Sequence, residues 1–435
     1  MLSIIAPLAI IAIAIIFMFK RIDVRLSLGL CAAGLFIIAG KLPQLFVTIS
    51  QQMTNEKTVV PICTAMGFAY VLKLTECDRH LTHLLLAPLR QGKWLLIPGG
   101  IIAAYIVNMA LISQSSTAAI VGTVLLPLLQ AAGIAPVIGG SLLLLGSSMG
   151  GELFNPGAVE IIKLADLTKQ SIPIIVGRVL PVNLLASITA LIVFCILVFI
   201  FSKKTAGEIS PTTSSDANME ELDKPFRVNL IKAFIPLLPL TLLFIVPAFV
   251  KLPQEFDNSV SIAAAMLIAV TAAGLTTPKE SPNLAAAFFE GAGFAYANII
   301  SIFVVATIFT EGIKVNGLIE HLTNALANRP VVVEIASLIL PFTLAGITGS
   351  GSASALAVMN ILVPVAITMN LDAIHIGALT SVAAQLGRTL SPVAAVVIIS
   401  ATISRQAPLN LVKLVAIPLI CALGVTLIAT LCNLM

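Results

Sequence analysis

Gly387-Arg388-Thr389-Leu390-Ser391-Pro392 interrupts an apolar region, with residues 374–385 before it and 393–400 after it. Arg388 and Pro392 are both expensive there. An arginine at the centre of a spanning helix costs roughly 2.5–3.5 kcal/mol on insertion scales and marks a functional site by default. A proline removes a backbone donor and breaks the helix. Ser391-Pro392 also reads as a fresh helix start, with serine as the N-cap and proline at the first helical position. The stretch therefore predicts two half-helices meeting end to end at membrane depth.

The stretch has a twin. Gly150-Gly151-Glu152-Leu153-Phe154-Asn155-Pro156 repeats it with an insertion, so that Gly150 corresponds to Gly387, Leu153 to Leu390 and Asn155-Pro156 to Ser391-Pro392. Upstream at a constant offset, Pro127 falls on Pro364, and Ser115-Ser116-Thr117 falls on Ser352-Ala353-Ser354. Two interrupted helices, each preceded by a Ser-rich motif, are a signature of a secondary transporter built from internal repeats.

Composition agrees. The chain has 435 residues, 58% hydrophobic and 10% charged, against about 25% charged in soluble domains. It reads as a polytopic membrane protein. The net charge of +4 says little about partners, because basic residues in such a chain report topology. One Trp, three Tyr and no basic cluster interleaved with aromatics leave nothing to suggest nucleic acid. The six cysteines (31, 63, 77, 195, 421, 432) form no CxxC pair and read as small hydrophobes in helices. His80 and His83 are too close for an i,i+4 metal pair. With no catalytic triad and no metal-ligand cluster, the chain does not read as an enzyme and calls for no cofactor.

Residues 2–19 are apolar, lack a basic n-region and are followed at once by Lys20, Arg21 and Arg25. That favours a retained first span whose C-terminal end faces the cytoplasm. Spans at 26–40 and 58–72 follow, then a cytoplasmic loop with Lys73, Arg79, Arg90 and Lys93. From 95 to 132, two apolar arms hinge at Ser113-Gln114-Ser115-Ser116-Thr117. They form either two full crossings or a re-entrant hairpin with its tip at the midplane, and the polar, uncharged hinge favours the hairpin. An interrupted helix at 137–165 and a span at 171–201 complete a first repeat, 1–201. Residues 202–229 hold Lys203-Lys204, a Ser/Thr/Asp-rich middle and an acidic end, which predicts a cytoplasmic linker with little structure of its own. Residues 230–435 then repeat the order. Spans fall at 230–250, 261–274 and 285–309, arms at 331–345 and 354–368 around Thr348-Gly349-Ser350-Gly351-Ser352, an interrupted helix at 372–403 and a last span at 411–432.

The expected fold is thus an all-α polytopic membrane protein of two repeats, each with three spans, a re-entrant hairpin, a broken helix and a final span. Each repeat crosses an odd number of times, so the two face opposite ways. The resulting assignment leaves the larger share of Lys and Arg inside, as an inverted topology requires. Inverted repeats with breaks at the midplane are alternating-access architecture.

Candidate site residues follow. The hinges offer hydroxyls and freed carbonyls, hard oxygen ligands suited to Na⁺ or to a carboxylate; small residues there would also simply let helices pack closely. At the breaks, Asn155 and Ser391 are the expected N-caps, and the half-helices they open aim N–H groups and partial positive charge at the centre, which favours an anion. Glu152 and Arg388 occupy near-equivalent places, and Glu160 lies a turn beyond Pro156. A salt bridge between repeats is the alternative role for these charges. The substrate-binding candidates are Ser115, Ser116, Thr117, Asn155, Ser350, Ser352, Gln385, Arg388, Thr389 and Ser391. Glu152, Glu160, Gln114 and Thr348 are the candidates for coupling to Na⁺ or H⁺.

The run Ser381-Val-Ala-Ala-Gln-Leu-Gly-Arg-Thr-Leu-Ser-Pro-Val393, together with Thr348-Gly-Ser-Gly351, resembles the DcuC family of four-carbon dicarboxylate carriers, within a superfamily of inverted-repeat, hairpin-containing ion transporters. Two places depart from that pattern. Ser352 stands where the family leads one to expect Asn, and Asn155-Pro156 with Glu160 replaces a Pro-Thr-Ser-Gly-Asp-like run. The resemblance implies a multi-pass secondary transporter of the bacterial inner membrane that moves succinate, fumarate or malate, coupled to a cation or to counter-exchange. Its partners would be the substrate, the bilayer and, in a homo-oligomer, further copies of itself. A carrier for another small anion or an amino acid, or an anion channel lined by the half-helices, are the rival readings.

Overall fold

In a bilayer every backbone N–H and C=O must be satisfied within the protein, which leaves helices as the economical choice for an apolar chain. The computed structural model describes residues 2–20, 22–91, 95–205, 226–249, 257–321, 329–432 and 434. These residues are helical with short connections and contain no strand, and eight of their helices are long and apolar enough to cross a membrane.

In the first half, the helices Leu2–Phe19, Val24–Ile38, Leu42–Met53 and Glu56–Thr75 lead through a short helix, Cys77–Leu86, to the two arms Leu96–Leu111 and Gln114–Ala131. The interrupted helix has a first leg, Pro136–Ser148, a single 3₁₀ turn, Gly151–Phe154, and a second leg, Val159–Thr168; Ile172–Thr205 closes the half. The second half repeats the later order. Arms Pro330–Thr348 and Gly351–Thr368 precede the legs Ala373–Thr389 and Ala395–Ser404, and Pro408–Leu431 is the last described helix.

Packing of these elements follows one rule in both halves. Each first leg lies against the two arms that precede it. Each second leg crosses over: Val159–Thr168 packs on Gly351–Thr368 and Ala373–Thr389, while Ala395–Ser404 packs on Gln114–Ala131 and Pro136–Ser148. The early spans form a scaffold between halves, with Glu56–Thr75 against Asn258–Thr276 and Leu284–Ala295, and Val24–Ile38 against Ser301–Val315. Close approach depends on glycine at each break. A Cβ on Gly387 would lie 2.1 Å from the Phe342 carbonyl oxygen, and one on Gly151 would lie 2.6 Å from that of Tyr105. Both carbonyls belong to the first arm of the respective half.

Several expectations need correction. The region 73–94 is not simply a loop, because Cys77–Leu86 is a helix packed against both arms of the first half. Its buried face was hidden in the sequence by Arg79 and two histidines; His80 and His83 instead close on the Phe226 ring, 4.8 and 4.1 Å between centroids. The helix Leu42–Met53 was not anticipated between the second and third spans. The span expected at 230–250 is stepped, as Leu230–Phe234, a 3₁₀ turn Ile235–Leu237 and Leu238–Phe249, since Pro236 and Pro239 each lack the N–H a continuous helix needs. The span at 285–309 extends instead from Leu284 to Val315, with a π-turn at Tyr296–Ile300. Of the linker at 202–229, residues 206–225 lie outside the described residues.

Candidate functional site

The hinges are tighter than their polar length suggests. Ile112 and Gly349 end the first arms in the left-handed region, with φ 59° and 75°. Ser113 and Ser350 then cap the second arms, their side chains accepting from the N–H groups of Ser116 (3.3 Å) and Ala353 (3.4 Å). Gln114–Thr117 and Gly351-Ser352 are therefore first helical turns, because a serine N-cap starts the helix at once. Several hinge hydroxyls are spent locally. Thr117 Oγ1 donates to the Ser113 carbonyl (2.9 Å), and Thr348 Oγ1 accepts from the Ser350 N–H (3.2 Å) and pairs with Ser354 Oγ (3.3 Å). Ser115, Ser116 and Ser352 make no side-chain hydrogen bond to the described residues and are half-buried, exposed and half-buried in turn.

The two breaks match turn for turn. The carbonyls of Glu152 and Arg388 accept from the N–H groups of Asn155 (2.9 Å) and Ser391 (3.0 Å), whose own carbonyls accept from Ala158 (2.9 Å) and Ala394 (3.0 Å). This corrects the capping expectation. The second legs begin at Val159 and Ala395, after Ala158 and Ala394, so Asn155 and Ser391 are not N-caps and Pro156 and Pro392 do not open the helices. The cause at the first break is local. Asn155 folds back on its own chain, accepting from the Gly157 N–H (3.0 Å), and its Nδ2 donates to the Met109 carbonyl (2.8 Å). The Ser391 hydroxyl is fully buried without a hydrogen-bond partner among the described residues.

Between the breaks, the polar side chains of both halves meet. Arg388 is buried and reaches the end of the opposite first leg. Its Nη2 donates to the Ser148 carbonyl (2.8 Å), Ser148 Oγ (3.2 Å) and Glu152 Oε1 (3.1 Å), and its Nε to Ser148 Oγ (3.3 Å). Glu152 Oε1 also accepts from Gln114 Nε2 of the first hinge, and the Glu152 N–H donates to Asn108 Oδ1 (3.0 Å). Gln385 Nε2 donates to Glu160 Oε1 (3.0 Å), and Thr389 Oγ1 meets Ser148 Oγ at 2.8 Å. The second hinge closes this cluster: a Cβ on Gly351 would lie 2.7 Å from Gln385 Oε1 and 3.2 Å from Arg388 Nη1. Glu152, Glu160, Gln114, Gln385, Arg388 and Thr389 are thus one assembly. Ser350 and Thr348 line a neighbouring cavity of about 400 Å³ with Val393, Asn298, Asp23 and Arg25.

Burying a charge is costly unless it is paired and hydrogen-bonded. Arg388 and Glu152 meet that condition only in part. Glu152 Oε2 and Gln385 Oε1 lack partners, and no described residue accepts from Arg388 Nη1. The cluster therefore retains one unused guanidinium edge beside a helix start, which can take a carboxylate, and two unused acceptors, which can take a donor. No group of three or more His, Cys, Asp or Glu among the described residues is arranged to hold a metal ion.

Sequence reasoning missed Ser148, the residue on which Arg388 and Thr389 converge, and Ser113, the true hinge cap. Both were visible as polar residues bordering a predicted interruption. It also missed Lys163, whose side chain is 2% exposed, although the rule that singled out Arg388 applies to any lysine in an apolar leg.

The profile of the family described as DcuC, C4-dicarboxylate anaerobic carrier, matches residues 44–435. Among curated proteins, the chain is similar to two from Haemophilus influenzae named as uncharacterized transporters. It is 26% identical to one over 262 residues, which is 60% of this chain and 94% of that protein. It is 38% identical to the other over 140 residues, 32% of this chain and 96% of that protein. It is also 28% identical over 145 residues to the anaerobic C4-dicarboxylate transporter DcuC of Escherichia coli K12, covering 33% of this chain and 32% of that one.

Proposed function

The chain belongs to the DcuC family, and from that premise we propose that it carries four-carbon dicarboxylates such as succinate, fumarate or malate by alternating access between two inverted repeats. Family membership makes it a secondary transporter of the bacterial inner membrane, multi-pass and non-enzymatic. The observation that carries the finer reading is the meeting of the two breaks, where Arg388 of one bonds Ser148 and Glu152 of the other. A carboxylate would take the free Nη1 edge beside the Gly351 helix start, with the Ser350 and Ser352 hinge and Thr389 and Ser391 nearby in sequence. The second carboxylate would lie toward Ser115, Ser116, Thr117 and Asn155.

Proteoliposomes provide the test. Preloaded with unlabelled succinate, they should show saturable counterflow of labelled succinate, inhibited by fumarate and malate and unaffected by amino acids. Uptake that neither saturates nor shows counterflow would identify a channel, and preferential inhibition by an amino acid would replace the substrate class. Omitting Na⁺ would show whether that ion is coupled to transport.

Cross-half contacts support the inversion. One set joins the end of Glu56–Thr75 and the helix Cys77–Leu86 to the start of the second half: the Asn229 N–H donates to His80 Nδ1 (3.1 Å) and Lys232 Nζ to the Thr75 carbonyl (3.3 Å). Another set joins ends that the sequence assignment places outside. Asn258 accepts from the Ile172 N–H (3.2 Å), Arg178 pairs with Asp372, and Asn316 Nδ2 donates to the Leu35 carbonyl (3.0 Å). In this topology residues 202–229 are a cytoplasmic linker between repeats 1–201 and 230–435, and both hairpins are re-entrant. The cavity at Thr348 and Ser350 has Ile22–Arg25 at its wall, which are cytoplasmic in the assignment, so in this topology the second hinge is reached from the cytoplasmic side. A cysteine at Lys314 should react with an impermeant external thiol reagent, and one at Thr212, which lies outside the described residues, should not. Modification at 212 alone, or at both, would reverse the assignment.

A further inference from the structure

Gln385 is fully buried in the cluster at the breaks, and only half of its amide is used. An ionised carboxylate accepts hydrogen bonds and donates none. Gln385 Nε2 therefore faces Glu160 Oε1, to which it donates (3.0 Å), and the amide oxygen is turned the other way. No described residue donates to that oxygen. A buried acceptor without a donor is costly, and in a native fold it calls for an explanation.

The surroundings of the oxygen indicate which donor would suit it. The point that a Cβ on Gly351 would take lies 2.7 Å from Gln385 Oε1 and 3.2 Å from Arg388 Nη1. Gly351 has no side chain to come between them. An unused acceptor and an unused guanidinium donor thus flank one spot at the start of the helix Gly351–Thr368. A carboxylate alone can use only the donor. Succinate and fumarate offer nothing else, so either one bound there leaves Gln385 Oε1 buried and unpaired. A carboxylate with a hydroxyl on the adjoining carbon can use both, because its two groups are neighbours just as the donor and acceptor are.

Resting on the dicarboxylate reading, we infer that Gln385 determines specificity and that the site prefers a 2-hydroxy dicarboxylate, malate, over succinate and fumarate. One malate carboxylate lies on Arg388 Nη1, and the 2-hydroxyl donates to Gln385 Oε1. Glu160 is a positioning residue: by accepting from Nε2 it holds the amide in the orientation that offers its oxygen. Glu152 Oε2 is the other unused carboxylate or amide oxygen of the cluster. Its carboxylate is held through Oε1 on the Nη2 side of the guanidinium, by Arg388 and Gln114. With the hydroxyl and both carboxylates fixed, the site also selects one enantiomer of malate.

The experiment measures how unlabelled acids inhibit counterflow of labelled succinate in proteoliposomes. A site that hydrogen-bonds a substrate hydroxyl penalises analogues lacking it, so one enantiomer of malate should half-inhibit at least about tenfold below succinate or fumarate. 2-Methoxysuccinate keeps the oxygen but has no proton to donate, and it should compete no better than succinate. Gln385→Leu removes the acceptor, and the malate advantage over succinate should shrink to within about twofold. That ratio is internal to each preparation, so a lower yield of the variant does not affect it. If the variant does not insert, the methoxysuccinate comparison on wild type decides. Malate no better than succinate, or methoxysuccinate as good as malate, refutes the inference and leaves the dicarboxylate reading intact. A malate advantage that survives Gln385→Leu refutes the role of Gln385. Absence of counterflow with labelled succinate and labelled malate alike removes the dicarboxylate reading itself.

Discussion

Arg388→Lys should weaken succinate binding by about 100-fold and leave the protein folded. The ammonium keeps the charge but cannot hold Ser148 and Glu152 on one side, as Nε and Nη2 do, while offering a donor to the substrate on the other. About 100-fold corresponds to ~2.7 kcal/mol, within the range for truncating one partner of a buried charge pair. Arg388→Ala is a different perturbation. It strands Glu152, whose Oε1 loses the Nη2 hydrogen bond and whose Oε2 already has no partner. An uncompensated buried charge costs about 3–5 kcal/mol, so the alanine variant should lose much of its monodisperse yield in detergent. Adding Glu152→Gln should restore that yield, because the amide needs no counter-charge. It should not restore counterflow. If the double variant transports as well as wild type, Arg388 serves only as a bridge between repeats and the assignment of substrate to Nη1 falls.

The second large effect is steric. Gly387→Ala should abolish counterflow and lower the thermal midpoint in detergent by an amount equivalent to at least about 3 kcal/mol, the upper part of the range for overpacking. The added methyl would sit 2.1 Å from the Phe342 carbonyl oxygen. A backbone atom cannot turn aside as a flexible side chain does, so leg and arm must separate, and Arg388 moves with the leg. Trimming Phe342 to alanine should therefore not rescue the variant. Gly177→Ala is the control, since nothing lies within 4 Å of a Cβ there. Counterflow by Gly387→Ala within about twofold of wild type would show that leg and arm need not touch.

Much of the architecture was legible because its signals are expensive. A proline and a charged residue in an apolar run, Pro392 with Arg388 and Pro156 with Glu152, located both breaks to within a few residues. The apolar runs located most of the described spans for the same reason. Boundaries failed where a cheap local bond decided the path. Asn155 looks like a cap by residue type, yet its side chain closes a turn on Gly157 and the helix resumes only at Val159. The hinge serines were grouped as ligands by composition, but Ser113 and Ser350 are consumed as caps. Cys77–Leu86 was obscured because its apolar residues are few and its burial depends on arms that come later in the chain. Ser148 carries no signal beyond its position. Its role exists only because Arg388, remote in sequence, folds onto it.

The crossed-over second legs set an order on the protein's birth. Val159–Thr168 leaves the ribosome with Glu160 and Lys163 already in place, while the helices that will cover it, Gly351–Thr368 and Ala373–Thr389, have not been made. For the time taken to translate the intervening chain, at about 5–20 residues per second, those two side chains lack their hydrogen-bond partners, Gln385 for Glu160 and Thr307 for Lys163. The first half covers the leg only in part, with Glu56–Thr75 and Ile172–Thr205, and the membrane does not welcome the two charges bare. The leg's packing is completed late, when the second half arrives and joins it. A stop codon anywhere before residue 351 would thus leave a half-protein with its charged leg unsheltered, marked for removal.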